Sequence, residues 1–366
     1  MDTTQSDLPY WIAFASGRSI GARTIHQLAE YFGTLEAAWH ADITELLDAG
    51  LPPVRAERLA SERLTIDPFS VLASLERLHI QTVTPRDQAY PRLLKEIYDP
   101  PAVIFYRGTL PAHDALSVAI VGSRKTSPYG RRVTPQITQP LAAAGIVIVS
   151  GLALGIDALA HQAALDSQGI TIGVLACGVD APYPRANAGL AEAIITRGGA
   201  IISEFPPGTP PLKQHFPIRN RIIAGLAAAV VVIEGAEDSG SLITARCAAD
   251  SNREVCAVPG SIESATARGP HRLLQMGAHL ITSAADVCAI LQLDNTQTTV
   301  QNRTILPSTE AERTVLASIE TEPTDIDEIF QHSRLPSSIV NTALTTLEMK
   351  GLVRHEGGTR YSKTNT

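Results

Sequence analysis

The sequence has few cysteines and no long apolar run. Its cysteines lie far apart, form no C-x-x-C pair and have no histidine pair nearby: Cys177, Cys247, Cys256 and Cys288. This spacing argues against a metal site, so we expect free thiols and a cytoplasmic protein. No apolar stretch reaches the roughly 20 residues of a membrane-spanning helix, and the first ten residues, MDTTQSDLPY, are polar. We therefore expect no signal peptide and no membrane partner.

Motifs of common nucleotide-dependent enzymes are also missing. Neither the P-loop pattern G-x-x-x-x-G-K-[ST] nor the dinucleotide pattern G-x-G-x-x-G occurs, and no Ser/His/Asp set has a recognisable spacing. His161 lies in the apolar, helix-like segment DALAHQAAL, where packing or capping is a more common role than general base catalysis. The sequence therefore predicts a binding protein without catalytic residues, cofactor or metal.

The balance of charge is mildly acidic. The chain has 30 Lys and Arg against 37 Asp and Glu, a formal net charge of −7 at pH 7. That excess argues against a surface that is covered by a polyanion, but a local basic groove is compatible with it, because the field that attracts a ligand is local. With 366 residues, 44% of them hydrophobic, the chain is long enough for two or three domains.

Residues 1–65 are predicted to form a helical domain. Two segments, GARTIHQLAEYFG and DITELLDAGLPPVRAERLASERL, have apolar residues at steps of three and four, and small-residue turns precede their helices. This pattern resembles a SAM-like or helix-hairpin-helix domain, in which turn amides can contact phosphates. A helical cap that packs on a neighbouring domain explains the pattern equally well. Residues 66–114, punctuated by prolines, are interpreted as a connector.

Residues 115–292 alternate between apolar runs and alanine-rich helical segments. The runs are VAIV (118–121), GIVIV (145–149), TIGVLA (171–176), AIIS (200–203), AVVVIE (229–234) and EVCAV (254–258). Nearly continuous apolar strands that alternate with helices are typical of a parallel sheet covered on both faces. We therefore expect a Rossmann-like, doubly wound α/β domain with a mostly parallel sheet.

A polar linker (293–308) and a small C-terminal domain (309–366) follow. The domain has three helical segments and then LVRHEGGTRYSK, read as two short strands around a Gly-Gly turn, which is the winged-helix plan. Its third helix presents mainly Ser337, Ser338, Asn341 and Thr342, with Lys350 at its end. Because readers of base edges usually present Arg, Asn or Gln, protein contact or a weak nucleic-acid role is favoured over sequence-specific recognition.

Cations and hydroxyls stand where a dinucleotide-binding turn would have glycines. In SVAIVGSRKTSPYG the first strand of the α/β domain ends at Gly122, and loops after other strands also open helices. Hydroxyls and free amides at helix N-termini suit phosphate oxygens, and several such loops at one edge suit several phosphates. The candidate DNA-binding residues are Gly122, Ser123, Arg124, Lys125, Ser150, Gly151, Lys213, Phe216, Arg219, Asn220, Arg221, Ser239, Gly240 and Ser241.

The segment KQHFPIRNR (213–221) has three cations and an aromatic ring in nine residues. Such a cluster is typical of single-strand binding, in which charge follows the backbone and rings stack on bases. Arg219 and Arg221 have an alternative role, which is to brace loops through carboxylates such as Glu204 and Asp157. Contact with the ligand is favoured for Arg124 and Lys213, which lie in polar loops.

Seven segments, in order, resemble the DprA/Smf family, the DNA-processing proteins of natural transformation. They are VAIVGSRKTSPYG, SGLALGIDALAHQAAL, TIGVLACGVDAPYP, GGAIISEFPPGTPP, HFPIRNRIIAGL, SGSLITA and REVCAVPG. The resemblance implies a protein that binds single-stranded DNA, forms a homodimer through roughly residues 225–290, and loads the RecA recombinase onto incoming strands. It also implies that Arg124, Lys213 and Phe216 lie in the DNA pocket.

The chain departs from the family pattern at two places. Leu154 stands where many relatives have Lys or Arg within SGLAxGID, and this loss of a cation should lower affinity and salt sensitivity. His271 and Arg272 stand where relatives usually have an Asn before an apolar pair.

Three other functions are alternatives to DNA binding. One is a nucleotide phosphoribohydrolase of the lysine-decarboxylase-like group, but EGAEDSGSLITA lacks that group's P-G-G-x-G-T-x-x-E pattern. The second is a P-loop or dinucleotide enzyme, for which the motifs are missing. The third is an adaptor that works mainly by protein contact, which the C-terminal domain would permit.

Overall fold

The computed structural model describes residues 3–17, 19–293, 309–319, 324–349, 352–357 and 359–363. It divides the chain into two units, Met1–Gln297 and Thr298–Thr366. None of the described helices is long and apolar enough to cross a membrane. The predicted linker, apart from Leu293, lies outside the described residues.

One nine-stranded sheet organises the first unit. Its strands are β1 (Gln81–Val83), β2 (Ile104–Gly108), β3 (Ser117–Val121), β4 (Val147–Ser150), β5 (Thr171–Val174), β6 (Ala200–Ser203), β7 (Ala229–Val232), β8 (Glu254–Ala257) and β9 (His279–Leu280). Their order is β1-β2-β6-β5-β4-β3-β7-β8-β9. The neighbours from β6 to β9 pair in parallel, whereas β1 and β2 form an antiparallel edge. The mostly parallel α/β fold predicted from the sequence is confirmed.

The segment interpreted as a connector contributes to this sheet. Strands β1 and β2 lie within 66–114, and β2 pairs with β6 from Phe105 opposite Ser203 to Gly108 opposite Ala200. The apolar residues Val103, Ile104 and Phe105 are buried, which explains why this proline-punctuated stretch joins the sheet rather than linking two domains.

Helices cover the sheet and form the N-terminal part of the same unit. The N-terminal helices are α1 (Thr3–Ser16), α2 (Ala22–Phe32), α3 (Leu35–His40), α4 (Ile43–Asp48), α5 (Pro53–Arg63), α6 (Pro68–Arg77) and α7 (Arg92–Lys95). Those of the α/β region are α8 (Pro128–Ala143), α9 (Ile156–Asp166), α10 (Ala188–Thr196), α11 (His215–Leu226), α12 (Gly240–Asp250), α13 (Arg268–Gln275) and α14 (Ala284–Ile290).

Alternate side chains of the central strands pack on opposite faces. On β4, Val147 and Val149 join one apolar cluster and Ile148 joins another, as the two-residue period of a strand requires. A third cluster joins Phe14 and Leu28 of the N-terminal helices to Phe105, Leu175 and Ile201 of the α/β region. The N-terminal helices therefore pack on the α/β region as a cap, the second of the two interpretations of this segment.

The second unit has the winged-helix plan. It contains α15 (Glu310–Ala317), α16 (Ile326–Ser333) and α17 (Ser337–Met349), with β10 (Thr324–Asp325), β11 (Val353–Gly357) and β12 (Arg360–Lys363) in the order β10-β12-β11. Val315, Ile329 and Leu347 lie in its core. The three helices and the hairpin predicted here are confirmed, and Lys350 lies outside the described residues.

Candidate nucleic-acid interface

The candidate site lies where the strand order of the sheet reverses. From β3, the chain continues to β4 on one side, and it returns later as β7 on the other side. Ligands of open α/β sheets bind beyond the carboxyl ends of the strands at such a point. The loops that follow β3, β4 and β5 meet there with the first turn of α11, and together they line one pocket.

A guanidinium group and two aromatic rings form the exposed wall of this pocket. The guanidinium carbon of Arg124 lies 5.0 Å from the centroid of the Phe216 ring, within cation–π range. The ring of Tyr183 meets Phe216 edge to face, with centroids 6.2 Å apart. Arg124 and Tyr183 are exposed and Phe216 is half-buried, so all three can reach a ligand. We call Arg124, Tyr183 and Phe216 the rim cluster.

Three exposed cations in the loops around the pocket have no ion-pair partner among the described residues. Among the described residues, no ion pair includes Arg124, Lys125 or Lys213, and all three side chains are exposed. Their charge is therefore available to an anion from outside. Of the candidate residues with a charged or aromatic side chain, these three cations are exposed and Phe216 is half-buried.

Arg219 lines the floor of the pocket and braces the loops around it. It is 4% exposed, and its Nη1 donates to the carbonyl oxygen of Gly151 at 2.7 Å and to that of Val174. Burial lowers the pKa of Arg219 to about 10, partly offset by Asp157, so the group stays charged at neutral pH. Bracing, one of the two roles predicted for Arg219, is observed through carbonyl oxygens instead of the expected carboxylates. Contact of Arg219 with a ligand stays a prediction.

The loop after β4 is held by a buried carboxylate. Asp157 accepts from the amides of Gly151 at 3.1 Å and Ala153 at 3.4 Å. Burial raises the pKa of Asp157, and the positive charge of Arg219 opposes that rise. Leu152, which lies between Gly151 and Ala153 in the chain, is fully buried and has a φ of +54°, a strained conformation for a bulky residue. This loop is therefore firmly held before any ligand arrives.

Asn220 and Arg221 do not face the pocket. Asn220 is 7% exposed and donates to the carbonyl of Gly240 at 3.2 Å, which ties α11 to the start of α12. Arg221 pairs with Glu204 and lies 3.5 Å from Asp99, a residue of the 66–114 segment. Neither residue lines the pocket, and for Arg221 the predicted bracing role is the one observed. Direct contact of these two residues with DNA stays a prediction.

The turn after β3 is filled by the protein's own carboxylate. Glu234, only 2% exposed, accepts from the amide of Ser127 at 2.9 Å and from its hydroxyl, and its carbonyl accepts from the amide of Ser123 at 2.9 Å. A Cβ on Gly130 would lie 2.5 Å from this carboxylate. The place where a Rossmann fold holds a pyrophosphate, the N-terminus of the first helix, is thus occupied. The amides of Ser123 and Ser127 are therefore already bonded to Glu234, whereas the side chains of Arg124 and Lys125 are exposed at this turn.

Other candidates shape the loops. Ser150 is fully buried and donates to the carbonyl of Ile120 at 2.6 Å. Ser239 caps α12, and its hydroxyl lies 2.8 Å from that of Ser241, which is 6% exposed. A Cβ on Gly122 would lie 2.7 Å from the side chain of Ile156, and a Cβ on Gly151 would lie 2.6 Å from that of Arg219, so a larger residue at either position would collide with its neighbour. Gly240 alone of these is exposed.

The comparisons with known proteins agree with this architecture. A sequence model of the family described as DNA recombination-mediator protein A matches residues 81–292, and one described as the DprA winged helix domain matches residues 300–359. The chain belongs to the DprA/Smf family.

Relatives and solved structures extend this match. Protein Smf of Synechocystis is 36% identical over 98% of this chain and 99% of its own. The X-ray structure of DprA from Streptococcus pneumoniae is 38% identical, covers 77% of this chain and 97% of its own, and has a TM-score of 0.66. A structure of DprA from Helicobacter pylori, described as giving insight into its single-stranded DNA binding mode, is 31% identical over 59% of this chain and 97% of its own, with a TM-score of 0.52.

The structure adds residues to the site that sequence reasoning missed. Tyr183 lies between two prolines in the segment APYP, away from the cation-rich segment 213–221 that indicated Phe216. Asn187 donates to the carbonyls of Leu152 at 2.8 Å and Ala153 at 3.2 Å, which holds the loop after β4. Leu154, the position where many DprA proteins have a cation, is exposed on the pocket wall. His271 binds the carbonyl of Gly260 at 3.0 Å and is not among the residues that line this pocket.

Proposed function

We propose that the chain binds single-stranded DNA at the rim cluster without strong preference for base sequence. The observation that carries this proposal is the contact of Arg124 with the Phe216 ring, beside Tyr183, with no ion pair of Arg124 among the described residues. Every base has a π-face, so rings and guanidinium planes hold unpaired bases of any kind, while exposed cations hold the phosphates. Paired bases present no free face, so a duplex lacks this contribution.

Replacement of Arg124 tests this proposal. Arg124→Glu removes the cation beside Phe216 and replaces it with a negative charge, which repels the phosphates of the strand. We expect affinity for a fluorescent single-stranded oligonucleotide to fall at least about tenfold at moderate salt. The control is Arg77→Glu, which makes the same charge change at an exposed residue at the end of α6. Equal affinity of a folded Arg124→Glu protein and wild type would remove Arg124 from the site.

We further propose that this site binds without turnover and needs no cofactor. The pocket encloses about 70 Å³, whereas sites that engulf small ligands have about 300–1,000 Å³. His161 is fully buried, and burial lowers its pKa to about 3, so it is neutral and out of reach of a ligand. The alternative, a phosphoribohydrolase, predicts release of free base from nucleoside monophosphates. Release above the buffer blank would favour that alternative.

We propose that the bound strand is passed to RecA, as the resemblance to the DprA/Smf family implies, in the cytoplasm where incoming DNA is recombined. An open rim supports this role, because a strand held along one side leaves its other side free for a second protein. The test is assembly of RecA on single strands with and without this chain. We expect faster assembly with it, and no acceleration with Arg124→Glu.

We also propose a homodimer through residues 225–290. Strand β9 ends the sheet, and exposed apolar side chains lie near this edge: Ile243 at 41%, Met276 at 74% and Leu280 at 58% exposure. An unpaired sheet edge with apolar neighbours favours association. Light scattering should give twice the monomer mass for wild type and the monomer mass for Leu280→Arg.

A further inference from the structure

A run of cations without any acidic residue begins at the rim and continues along α8. Between Asp114 and Asp157 the chain has no Asp or Glu, whereas it has Arg124, Lys125, Arg131 and Arg132. This part of an otherwise acidic protein therefore carries four positive charges. Arg124 faces the rim pocket, but the other three side chains do not line it.

Two arginines of this run are held in place, Arg131 beside the turn after β3 and Arg132 beside an aromatic ring. Nη1 of Arg131 donates to the carbonyl of Thr126 at 2.9 Å and lies 3.3 Å from its hydroxyl oxygen, which fixes it beside the turn. The guanidinium carbon of Arg132 lies 5.9 Å from the centroid of Tyr129. The Tyr129 hydroxyl donates to the carbonyl of Pro259 at 2.8 Å, and 37% of the residue is exposed.

These groups are available to a ligand. Lys125, Arg131 and Arg132 are exposed, and no ion pair among the described residues includes them. We call Lys125, Tyr129, Arg131 and Arg132 the α8 ledge. An aromatic ring held by a hydrogen bond and flanked by unpaired cations is the arrangement that binds unpaired polynucleotide.

The α8 ledge and the rim cluster lie on opposite sides of the turn after β3. Arg124 leans towards Phe216, in a pocket built by the loops after β4 and β5. Tyr129 is anchored on the other side, to Pro259 after β8. In the order β5-β4-β3-β7-β8, strand β5 on the side of the rim pocket and strand β8 on the side of Pro259 are four strand spacings apart. At roughly 4.8 Å for each spacing, this is about 19 Å.

We propose that the α8 ledge binds a second segment of the single strand whose first segment occupies the rim cluster. This inference rests on the proposed function and deepens it, because it gives the strand a direction across the sheet edge. Backbone phosphates would pair with Lys125, Arg131 and Arg132, and a base would stack on Tyr129. The rim cluster alone suffices for a short oligonucleotide, whereas the ledge contributes only once the strand is long enough to cross the turn.

The length dependence of binding tests the proposal. Oligo-dT of increasing length is titrated into wild type, the double variant Arg131→Ala/Arg132→Ala and the control Arg77→Ala/Lys95→Ala. The control loses the same charge at exposed residues of α6 and α7. We expect the ledge variant to bind the shortest oligonucleotides like wild type, to lose at least about fivefold with long ones, and to reduce the salt slope there by about 1.4, or 0.7 for each phosphate contact. The control should follow wild type at every length.

The outcomes separate the two proposals. Wild-type binding with an unchanged affinity of the ledge variant at all lengths would overturn the ledge and leave the rim cluster in place. An equal loss at every length would also overturn it, because the ledge would then belong to the first site. Failure of wild type to bind oligo-dT of any length would overturn both proposals.

Tyr129 provides a second test that does not depend on charge. Tyr129→Ala removes the stacking ring, and Tyr129→Phe keeps the ring but loses the hydrogen bond to Pro259. We expect Tyr129→Ala to weaken binding of long oligo-dT at least about fivefold, even at high salt, and Tyr129→Phe to retain most of the affinity. Equal affinities of the alanine variant and wild type would contradict a stacked base.

Discussion

At the scale of single residues, α11 shows how neighbouring side chains divide their tasks. Phe216 faces the pocket, Arg219 lies beneath it, and Arg221 points away towards Glu204 and Asp99. A buried cation such as Arg219 can therefore hold the loops of the site in place as well as line its pocket. Arg221 contributes to the stability of the fold instead, because it forms ion pairs with the carboxylates of Glu204 and Asp99.

Glu204 should make stability depend on pH. Burial raises its pKa from 4.5 to about 7, against the opposing effect of Arg221. Because the unfolded chain loses this proton near pH 4.5 and the folded chain keeps it to about pH 7, the group's contribution is full below pH 4.5 and is lost as pH rises to 7. The free energy of unfolding of wild type relative to Glu204→Gln should fall over this window, by about 3 kcal/mol at most.

The control for this measurement is an exposed carboxylate in a similar pair. Glu192 lies 2.9 Å from Arg107 and is 56% exposed, so Glu192→Gln should show no comparable slope between pH 4.5 and 7. The raised pKa of Glu204 would be contradicted if the free energy of unfolding of wild type relative to Glu204→Gln stayed constant, or increased, between pH 4.5 and 7.

At the scale of elements, the loops after β3 and β4 depend on each other. Gly155 precedes α9 at φ +87° and ψ −128°, a conformation open almost only to glycine. A Cβ there would lie 2.2 Å from the carbonyl oxygen of Ser123, which accepts from the amide of Ile156 at 3.1 Å. The position of Arg124, one residue along, therefore depends on a glycine 31 residues away in the sequence.

Gly155→Ala tests this dependence. We expect it to destabilise the fold by about 2 kcal/mol or more and to weaken single-strand binding, since Ser123 must move and Arg124 with it. Gly145→Ala is the matched control, because Gly145 has a similar φ of +81° but nothing within 4 Å of a Cβ. It should cost about 1 kcal/mol and leave binding unchanged. Equal effects of both variants on binding would show that the two loops are independent.

Elements with a strong local pattern could be predicted from the sequence, and contacts between distant segments could not. Six parallel strands were predicted because each is an apolar, β-branched run, whereas β1 and β9, with three and two residues, are too short to show a pattern. Within the site, Arg124 and Phe216 were identified by residue type. The role of Glu234 was not, because its partner Ser127 lies 107 residues away and only the sheet order brings them together.

At the scale of the whole molecule, the net charge is negative, but one surface exposes positive charges. The chain has a net charge of −7, yet the described loops around the pocket expose Arg124, Lys125 and Lys213 without carboxylate partners. Carboxylates near the loops are instead buried in structural contacts, as Asp157 and Glu234 are. An acidic body with a basic edge limits non-specific adhesion of polyanions while one surface remains attractive to them.

The most direct test of this account is titration of fluorescent single-stranded and double-stranded oligonucleotides of equal length across a range of salt concentrations. The account predicts tighter binding of the single strand at every salt concentration, because only unpaired bases can stack on Phe216 and Tyr183. It also predicts that the logarithm of the binding constant falls linearly with the logarithm of salt concentration, since cations at the rim hold phosphates. Equal or tighter binding of the duplex, or affinity that does not change with salt, would contradict it.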